Sequence, residues 1–332
     1  MDSRFTQQAE RAHRAALRSI ARIVEDTIPP QDPEAARQGI VELIGRGRVL
    51  CVTGAGVSTD SGIPDYRGPE GSLRRHRPMT YQEFKYDDAS RHRYWARSFV
   101  GWRQMHAARP NRAHEILAQW QRDAVLTGIV TQNVDGLHRA AARALADRSA
   151  DPAQEAGTAG VRPDESPIVA LHGDLATVRC LNCGNVEDRR ALDARLEQTN
   201  PGYAEQAAAA AENVNPDGDV TLDESWVRRF HMVGCLMCGS HALKPDVVYF
   251  GENVPAERKE AVSGLVQASE SLLVVGSSLA VMSGFSIALQ FHRAGKPVAI
   301  INGGPCRADA KAQWRWRTRI APALEQLNAA RT

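Results

Sequence analysis

Residues 48–68 read RVLCVTGAGVSTDSGIPDYRG. Val49, Leu50, Cys51 and Val52 form a short apolar run of the kind a parallel strand buried on both faces requires, and Gly54-Ala55-Gly56 ends it. Two glycines one residue apart let backbone approach a pyrophosphate. Ser58, Thr59 and Asp60 are capping types, and a helix after them would turn its free N–H groups and positive dipole end toward the same anion. The third glycine of the usual G-x-G-x-x-G comes late, at Gly62, and no acidic residue stands at the usual distance for an adenosine ribose. Read alone, the loop is a dinucleotide site or a plain glycine turn.

The same pattern recurs along the chain. Residues 128–131 are apolar and end in Gln132, Asn133 and Asp135; residues 272–275 end in Gly276-Ser277-Ser278; residues 298–301 end in Asn302-Gly303-Gly304. Residues 168–171 lead into His172-Gly173. Apolar strands that each stop in Gly, Ser, Asn or Gln are what an open parallel sheet shows when ligand binds at the carboxyl ends of its strands. The expected fold class is therefore α/β, a Rossmann-like parallel sheet.

Of six cysteines, four fall into two pairs, Cys180-Leu181-Asn182-Cys183 and Cys235-Leu236-Met237-Cys238, each followed by glycine. In a reducing compartment matched pairs read as a metal site before disulfides. Four thiolates close a tetrahedral zinc site, with no open position for substrate, so one structural zinc is expected. The stretch between the pairs carries an alanine-rich helix around residues 203–212 and the turn Asn215-Pro216-Asp217-Gly218-Asp219. Cys51 reads as a core residue, and Cys306 as an oxidisable thiol beside the cofactor.

The chain has 332 residues, enough for one large α/β domain with a smaller inserted one. Basic and acidic residues nearly cancel, 41 against 39, with no long run of one sign, which gives no reason to invoke nucleic acid or membrane. No stretch approaches the roughly 18 uninterrupted apolar residues of a membrane span. Residues 1–30 have helical spacing at Ala12, Ala16, Ile20 and Ile23 and read as a peripheral helix; residues 33–46 read as a second, feeding the first strand. Residues 72–122 read as helices over the cofactor, with Tyr81, Phe84, Tyr94, Trp95, Phe99 and Trp102 as core, and Asn111 caps a helix. Residues 144–166, rich in Ala, Asp, Gly and Pro, read as a mobile surface insertion.

GAGVSTDSGIPDYRG resembles the cofactor-loop signature of the sirtuins, the NAD-dependent protein deacylases, and TQNVDGLH, the His172-Gly173 pair, the paired cysteines and LKPDVVYFGENV resemble their other motifs. The resemblance spans about residues 40–327. It implies NAD as cofactor, acylated-lysine proteins as substrates, and His172 as catalytic base with Asn133 beside it. In that mechanism the acyl-lysine oxygen displaces nicotinamide, the base deprotonates a ribose hydroxyl, and the acyl group leaves on ADP-ribose. Activity would fall as the pH drops through the histidine's value, near 6.5 if unperturbed.

The resemblance further implies that Gly54, Ala55, Gly56 and Ser58 meet the phosphates and that Asp65, Tyr66 and Arg67 form the cofactor loop. Gln132, Asn133 and Val134 would meet the nicotinamide ribose and water, and Asp135 the carboxamide. Gly276, Ser277 and Ser278 would contact phosphate and ribose, with Asn302, Gly303, Gly304 and Ile320 around adenosine. Residues 244–252 resemble the substrate strand, with Val247, Val248, Phe250 and Gly251 against the acyl-lysine peptide by strand addition.

These implications divide the chain into an N-terminal extension (1–35), a Rossmann-like domain (36–175 and 243–332) and a zinc module with a helical insertion (176–242), residues 64–122 joining the smaller unit. RYWARSFVGW, NPDGDV and LKPDVVYFGENV look most like the class II, sirtuin-4-type branch, associated with weak deacetylation, longer acyl groups and ADP-ribosyl transfer. Tyr94-x-x-Arg97 has the spacing of a succinyl-binding pair but lies about one helical turn too early from Asn111, and reads as coincidence. Two other readings use the same pocket: a protein mono-ADP-ribosyltransferase and a non-catalytic NAD or ADP-ribose sensor. Oligomeric state is not legible. The arginine bias points to a GC-rich bacterial genome and a cytoplasmic protein; Asp2, Glu10, Glu25 and Asp26 leave a mitochondrial matrix location as the minor alternative.

Overall fold

The computed structural model of the protein describes residues 6–149, 167–211 and 214–331. Six parallel strands, β1 (Val49–Thr53), β2 (Leu126–Thr131), β3 (Ile168–Ala170), β7 (Ser271–Val275), β8 (Val298–Asn302) and β9 (Trp314–Arg317), form one sheet in the order β3-β2-β1-β7-β8-β9. Every expected apolar run is one of them; β9, rich in Arg and Trp, carried no such signal. Thr53 sits beside both Thr131 and Val275, and Val275 beside Ile301, so the polar residues that follow emerge along one sheet edge.

Alternation within the strands feeds two cores. Val49, Cys51, Ile129, Leu273 and Ala299 face helices α2 (Pro33–Gly45), α5 (Arg112–Arg122) and α12 (Ile320–Arg331); Leu50, Val52, Val130, Leu272 and Ile300 face α10 (Ala256–Ala268) and α11 (Met282–Arg293). A third core belongs to the smaller unit. There β4 (Gly173–Cys180), β5 (Val186–Asp188) and β6 (Leu243–Val247) make an antiparallel sheet in the order β5-β4-β6. Helix α4 (Asp88–Ala107) packs Tyr94, Trp95, Phe99 and Trp102 against it, as expected for core aromatics. Arg189 lies fully buried with its guanidinium 4.9 Å from the Trp95 ring and 5.0 Å from that of Trp102, and donates to the Ser98 carbonyl. Its charge is tolerated there because ring faces and a carbonyl replace water.

Several expectations shift. Residues 243–247, assigned to the larger unit, pair with β4 and so pack with the zinc module. Ala144 to Ser149 continue helix α6 (Leu137–Ser149), and the rest of the expected insertion lies outside the described residues. No α-helix follows the glycine loop; residues 55–57 and 59–61 are short 3-10 turns, and Ser58, whose hydroxyl donates to Asp135 and accepts from Asn133, makes no cap hydrogen bond. Helix α1 (Gln7–Ile20) stops short of Ile23, which is 83 % exposed. Helix α8 is only Tyr203–Ala208.

Behind the glycine loop, Asn111 caps α5 and donates through Nδ2 to the Val57 carbonyl at 2.8 Å, tying helix start to loop. Beside it His114 and His138 stack edge-on at 4.8 Å, with His138 paired to the Thr53 hydroxyl at 2.9 Å. Burial pushes His114 down to about 4 and His138 well below its usual range. Because the unfolded chain takes up these protons first, stability is lost as pH falls from about 6.5 toward 4, by about 3 kcal/mol for His114 alone below both values. Thermal melts from pH 7 to 4.5 should show a steep acid loss that H114Q/H138Q flattens; an identical acid slope in the variant rules these histidines out as its source.

Candidate active site

The sheet edge and the smaller unit enclose a cleft of about 1380 Å³. Its floor is a contact between two loops. A Cβ on Gly54 would come 2.7 Å from the Ser277 Cβ, and one on Gly56 would come 2.9 Å from the Gly276 carbonyl oxygen. The Gly54 and Gly56 N–H groups are spent on that contact, bonding Val275 O and Gly276 O at 3.2 and 3.0 Å. The glycines are thus needed to bring the loops together, and Gly276 itself has φ +62°.

One hydrogen-bond network joins the strand ends. Gln132 Nε2 donates to Ser277 Oγ at 2.7 Å; Asn133 Nδ2 donates to Gly54 O at 3.1 Å and Ser58 Oγ at 3.0 Å; Ser58 donates to Asp135 Oδ2 at 2.7 Å. The Leu137 amide bonds the other Asp135 oxygen at 2.9 Å. Burial raises the Asp135 carboxyl, and those two donors oppose the shift. Asn302 folds its side chain onto Gly304 O at 2.8 Å, and Ser278, Gly303 and Ile320 line the same end of the cleft, as Ala55, Tyr66 and Val134 do elsewhere in it.

His172 lies where β3 gives way to β4. Its Nδ1 is 3.1 Å from Gln132 O, which can only accept, so Nδ1 carries the proton and Nε2 is the free base, accepting from Ser283 Oγ at 2.8 Å. Burial lowers its pKa to about 4, the Gln132 contact opposing that and the Arg258 charge adding to it. The imidazole is therefore neutral across physiological pH, which replaces the expectation of a value near 6.5. The His172 carbonyl accepts from Val248 N at 2.7 Å, joining the expected base to the expected substrate segment.

That segment is a strand only as far as Val247. Beyond it Val248 turns to His172, Phe250 O takes the Tyr81 amide, and Tyr249 and Glu252 close a turn, so residues 248–252 form a loop wall in place of a free strand. Gly251 has φ +85°, and a Cβ there would press on Gln82 and Ala16. Lys244 is buried against Glu252 at 3.2 Å and Val247 O at 2.6 Å, bracing the wall from behind.

The expected cofactor loop, residues 65–68, is folded on itself and on the N-terminal helix. Asp65 Oδ1 accepts from Gly68 N at 2.7 Å, Tyr66 meets Phe250 edge-on at 6.5 Å, and Arg67 reaches the last carbonyls of α1. The structure also brings in residues the sequence did not single out for the site: Ser283 against the base, Leu279 held at φ +47°, residues 19–24, and Tyr94, Asp217 and Tyr249 at the small-domain end. The strained Leu279 backbone and the buried Asp217 carboxyl stand apart from ordinary packing, and neither a φ value nor burial at a distant turn is visible in sequence. Cys306 is buried at 3 % exposure and burial pushes its thiol up to about 12, so it is a core residue and not an oxidisable one.

Away from the cleft the sulfurs of Cys180 and Cys238, and of Cys183 and Cys235, lie 3.7 Å apart, with all four within 4.8 Å. A tetrahedron of thiolates at 2.3 Å from zinc has edges of roughly 3.8 Å. The Met237 amide points at Cys235 Sγ at 3.4 Å and Asn182 at Cys238 Sγ at 3.5 Å, partners suited to thiolates. The donor set fits zinc and closes around it.

The Sir2 family model matches residues 54–147 and 154–283. An NAD-dependent protein deacetylase 1 of Corynebacterium efficiens is 56 % identical over 88 % of this chain and 96 % of its own. The NAD-dependent protein lipoamidase sirtuin-4 of human mitochondria is 39 % identical over 89 % and 87 %. Among solved structures, a mutant Sir2 homologue in complex with ADP-ribose superposes with a TM-score of 0.63 at 25 % identity, covering 89 % of this chain and 96 % of that one.

Proposed function

The chain belongs to the Sir2 family and is an NAD-dependent protein deacetylase, and from that premise we propose that it removes from lysine an acyl group longer than acetyl that ends in a hydrogen-bonding group. The observation that carries this finer reading is the small-domain end of the cleft. Tyr94 and Tyr249, rings 5.8 Å apart, and Asp217 line it, and Asp217 Oδ1 is buried without a partner. Burial first, and the Asp219 charge second, raise Asp217 well above the usual carboxylate range, favouring a form that can donate.

Bound NAD supplies the ribose carbon that loses nicotinamide and the hydroxyls that receive the acyl group. The chain's own part is orientation and proton transfer. Asp135 and Ser58 fix the loop that would hold the carboxamide, and Gln132 and Asn133 would bracket the nicotinamide ribose. His172 Nε2, released from Ser283, takes the ribose hydroxyl proton while Gln132 O keeps Nδ1–H in place. Residues 248–252 wall the acyl-lysine side; proteins carrying acyl-lysine are the proposed substrates. An intact base with both ring nitrogens positioned favours catalysis over sensing.

Nicotinamide release over acetyl, glutaryl-type, lipoyl and long-chain acyl-lysine peptides tests the reading, with O-acyl-ADP-ribose as the required product. Asp217→Leu should cost about tenfold in kcat/KM for the preferred polar acyl group and leave acetyl within a few-fold. Equal losses on every peptide would defeat the acyl reading. Label from the adenylate half of NAD retained on protein would favour ADP-ribosyl transfer.

A further inference from the structure

The N-terminal extension lies outside the matched family segments, yet it is built into the cleft. Ala16 of α1 is 2 % exposed and packs on Gly251, and His13 pairs with the Thr80 hydroxyl at 3.0 Å, which seats the helix on the small-domain side. Past Ile20 the chain crosses to the other side: Asp26 meets Arg317 of β9 at 2.9 Å, and Gln31 accepts from the Arg315 amide at 2.9 Å. Ser19, Arg22 and Ile23 line the cleft along this crossing.

Arg67 of the cofactor loop is the tie. Its Nη2 donates to Ser19 O at 3.2 Å and its Nε to Arg22 O at 3.4 Å, so the guanidinium caps the negative end of α1. Arg22 is exposed and close enough to Arg67 and to Arg307 for its charge to lower both, after burial. Arg307 is itself held, stacked 4.2 Å over Phe285 and donating to Ala280 O. Arg22 and Arg67 both line the cleft, and the repulsion between their charges is relieved by an anion placed between them.

We infer that residues 7–31 are a working part of the dinucleotide site, in which the seated α1 and its following strap hold the cofactor loop through Arg67 and present Arg22 to the cofactor's diphosphate. The extension thereby couples the small domain, the cofactor loop and β9 across the mouth. Arg22 is a positioning and binding residue, and it takes no part in proton transfer.

The inference presupposes only that the cleft takes NAD, so it is tested with ADP-ribose and no acyl peptide, apart from deacylation. In the full chain, R22E should weaken ADP-ribose about tenfold at low ionic strength, R22K should restore most of it, and the ligand-free melting temperature should stay unchanged. Ala16→Arg, which unseats α1, should weaken ADP-ribose comparably and speed amide exchange in residues 62–71. The double variant should then lose little more than either single one, because both act through one element. ADP-ribose affinity within twofold of native in R22E, or losses from R22E and Ala16→Arg that simply add, would overturn the inference. So would an R22E effect confined to the KM of the acyl peptide, which would place Arg22 on the substrate.

Discussion

His172→Ala is expected to lower turnover by about 10³-fold while NAD and ADP-ribose bind within a few-fold of native. The asymmetry follows from what the side chain touches. Its Nδ1 bonds a backbone oxygen and its Nε2 a serine hydroxyl, so removing it deletes the proton acceptor without opening the network of Gln132, Asn133, Ser58 and Asp135. Ser283→Ala, which frees Nε2 but loses its placement, should cost far less. With the pKa lowered to about 4, the base stays neutral as pH falls through 6.5, and the acidic limb of kcat/KM should lie well below that value. Single-turnover nicotinamide release and ADP-ribose titration on the same preparations check this. Full turnover in the variant would remove His172 from the reaction, and an acidic limb at 6.5 would mean the ring is solvated when substrate binds.

How much of this was legible follows from what kind of signal each part leaves. The strands of the main sheet were readable because burial on both faces forces an unbroken apolar run, and their register makes the polar ends converge. β9 was not, since an edge strand of Trp and Arg at residues 314–317 needs no such run. The Cys-x-x-Cys pairs state their chemistry through spacing alone. Ser58 shows the opposite case. Its capping propensity is real, but Asp135, distant in sequence, claims the hydroxyl, and propensity yields to a tertiary partner. Helix α1 could be seen as amphipathic, yet nothing in its periodicity names Gly251 and Thr80 as what its apolar face covers. His172 was named through the family resemblance of its His-Gly pair, whereas its pKa needed the walls around it.

Removing zinc, by chelation or by Cys180→Ala, is expected to abolish deacylation and to unfold the smaller unit while the main sheet persists. Structural four-thiolate sites contribute on the order of 10 kcal/mol to folding, more than a small core can replace. Cys180 and Cys235 are buried within the same apolar cluster as Val178, Leu243, Trp95 and Phe230, so losing the ion places unpaired sulfurs in that core. The cores on either face of the parallel sheet contain no zinc ligand. What connects the two is short: β4 starts at Gly173, next to the base, and Val248 N bonds His172 O. Melting of the β4–β6 pairing therefore takes away the 248–252 wall, proposed to meet acyl-lysine, and the backbone support of His172 together, without touching β1, β2, β7 or β8. Amide exchange after chelation should show residues 173–250 exchanging freely and residues 49–53, 126–131 and 271–275 still protected. Protection lost everywhere at once would mean the two units fold as one, and activity that survives with the metal gone would deny zinc its structural part.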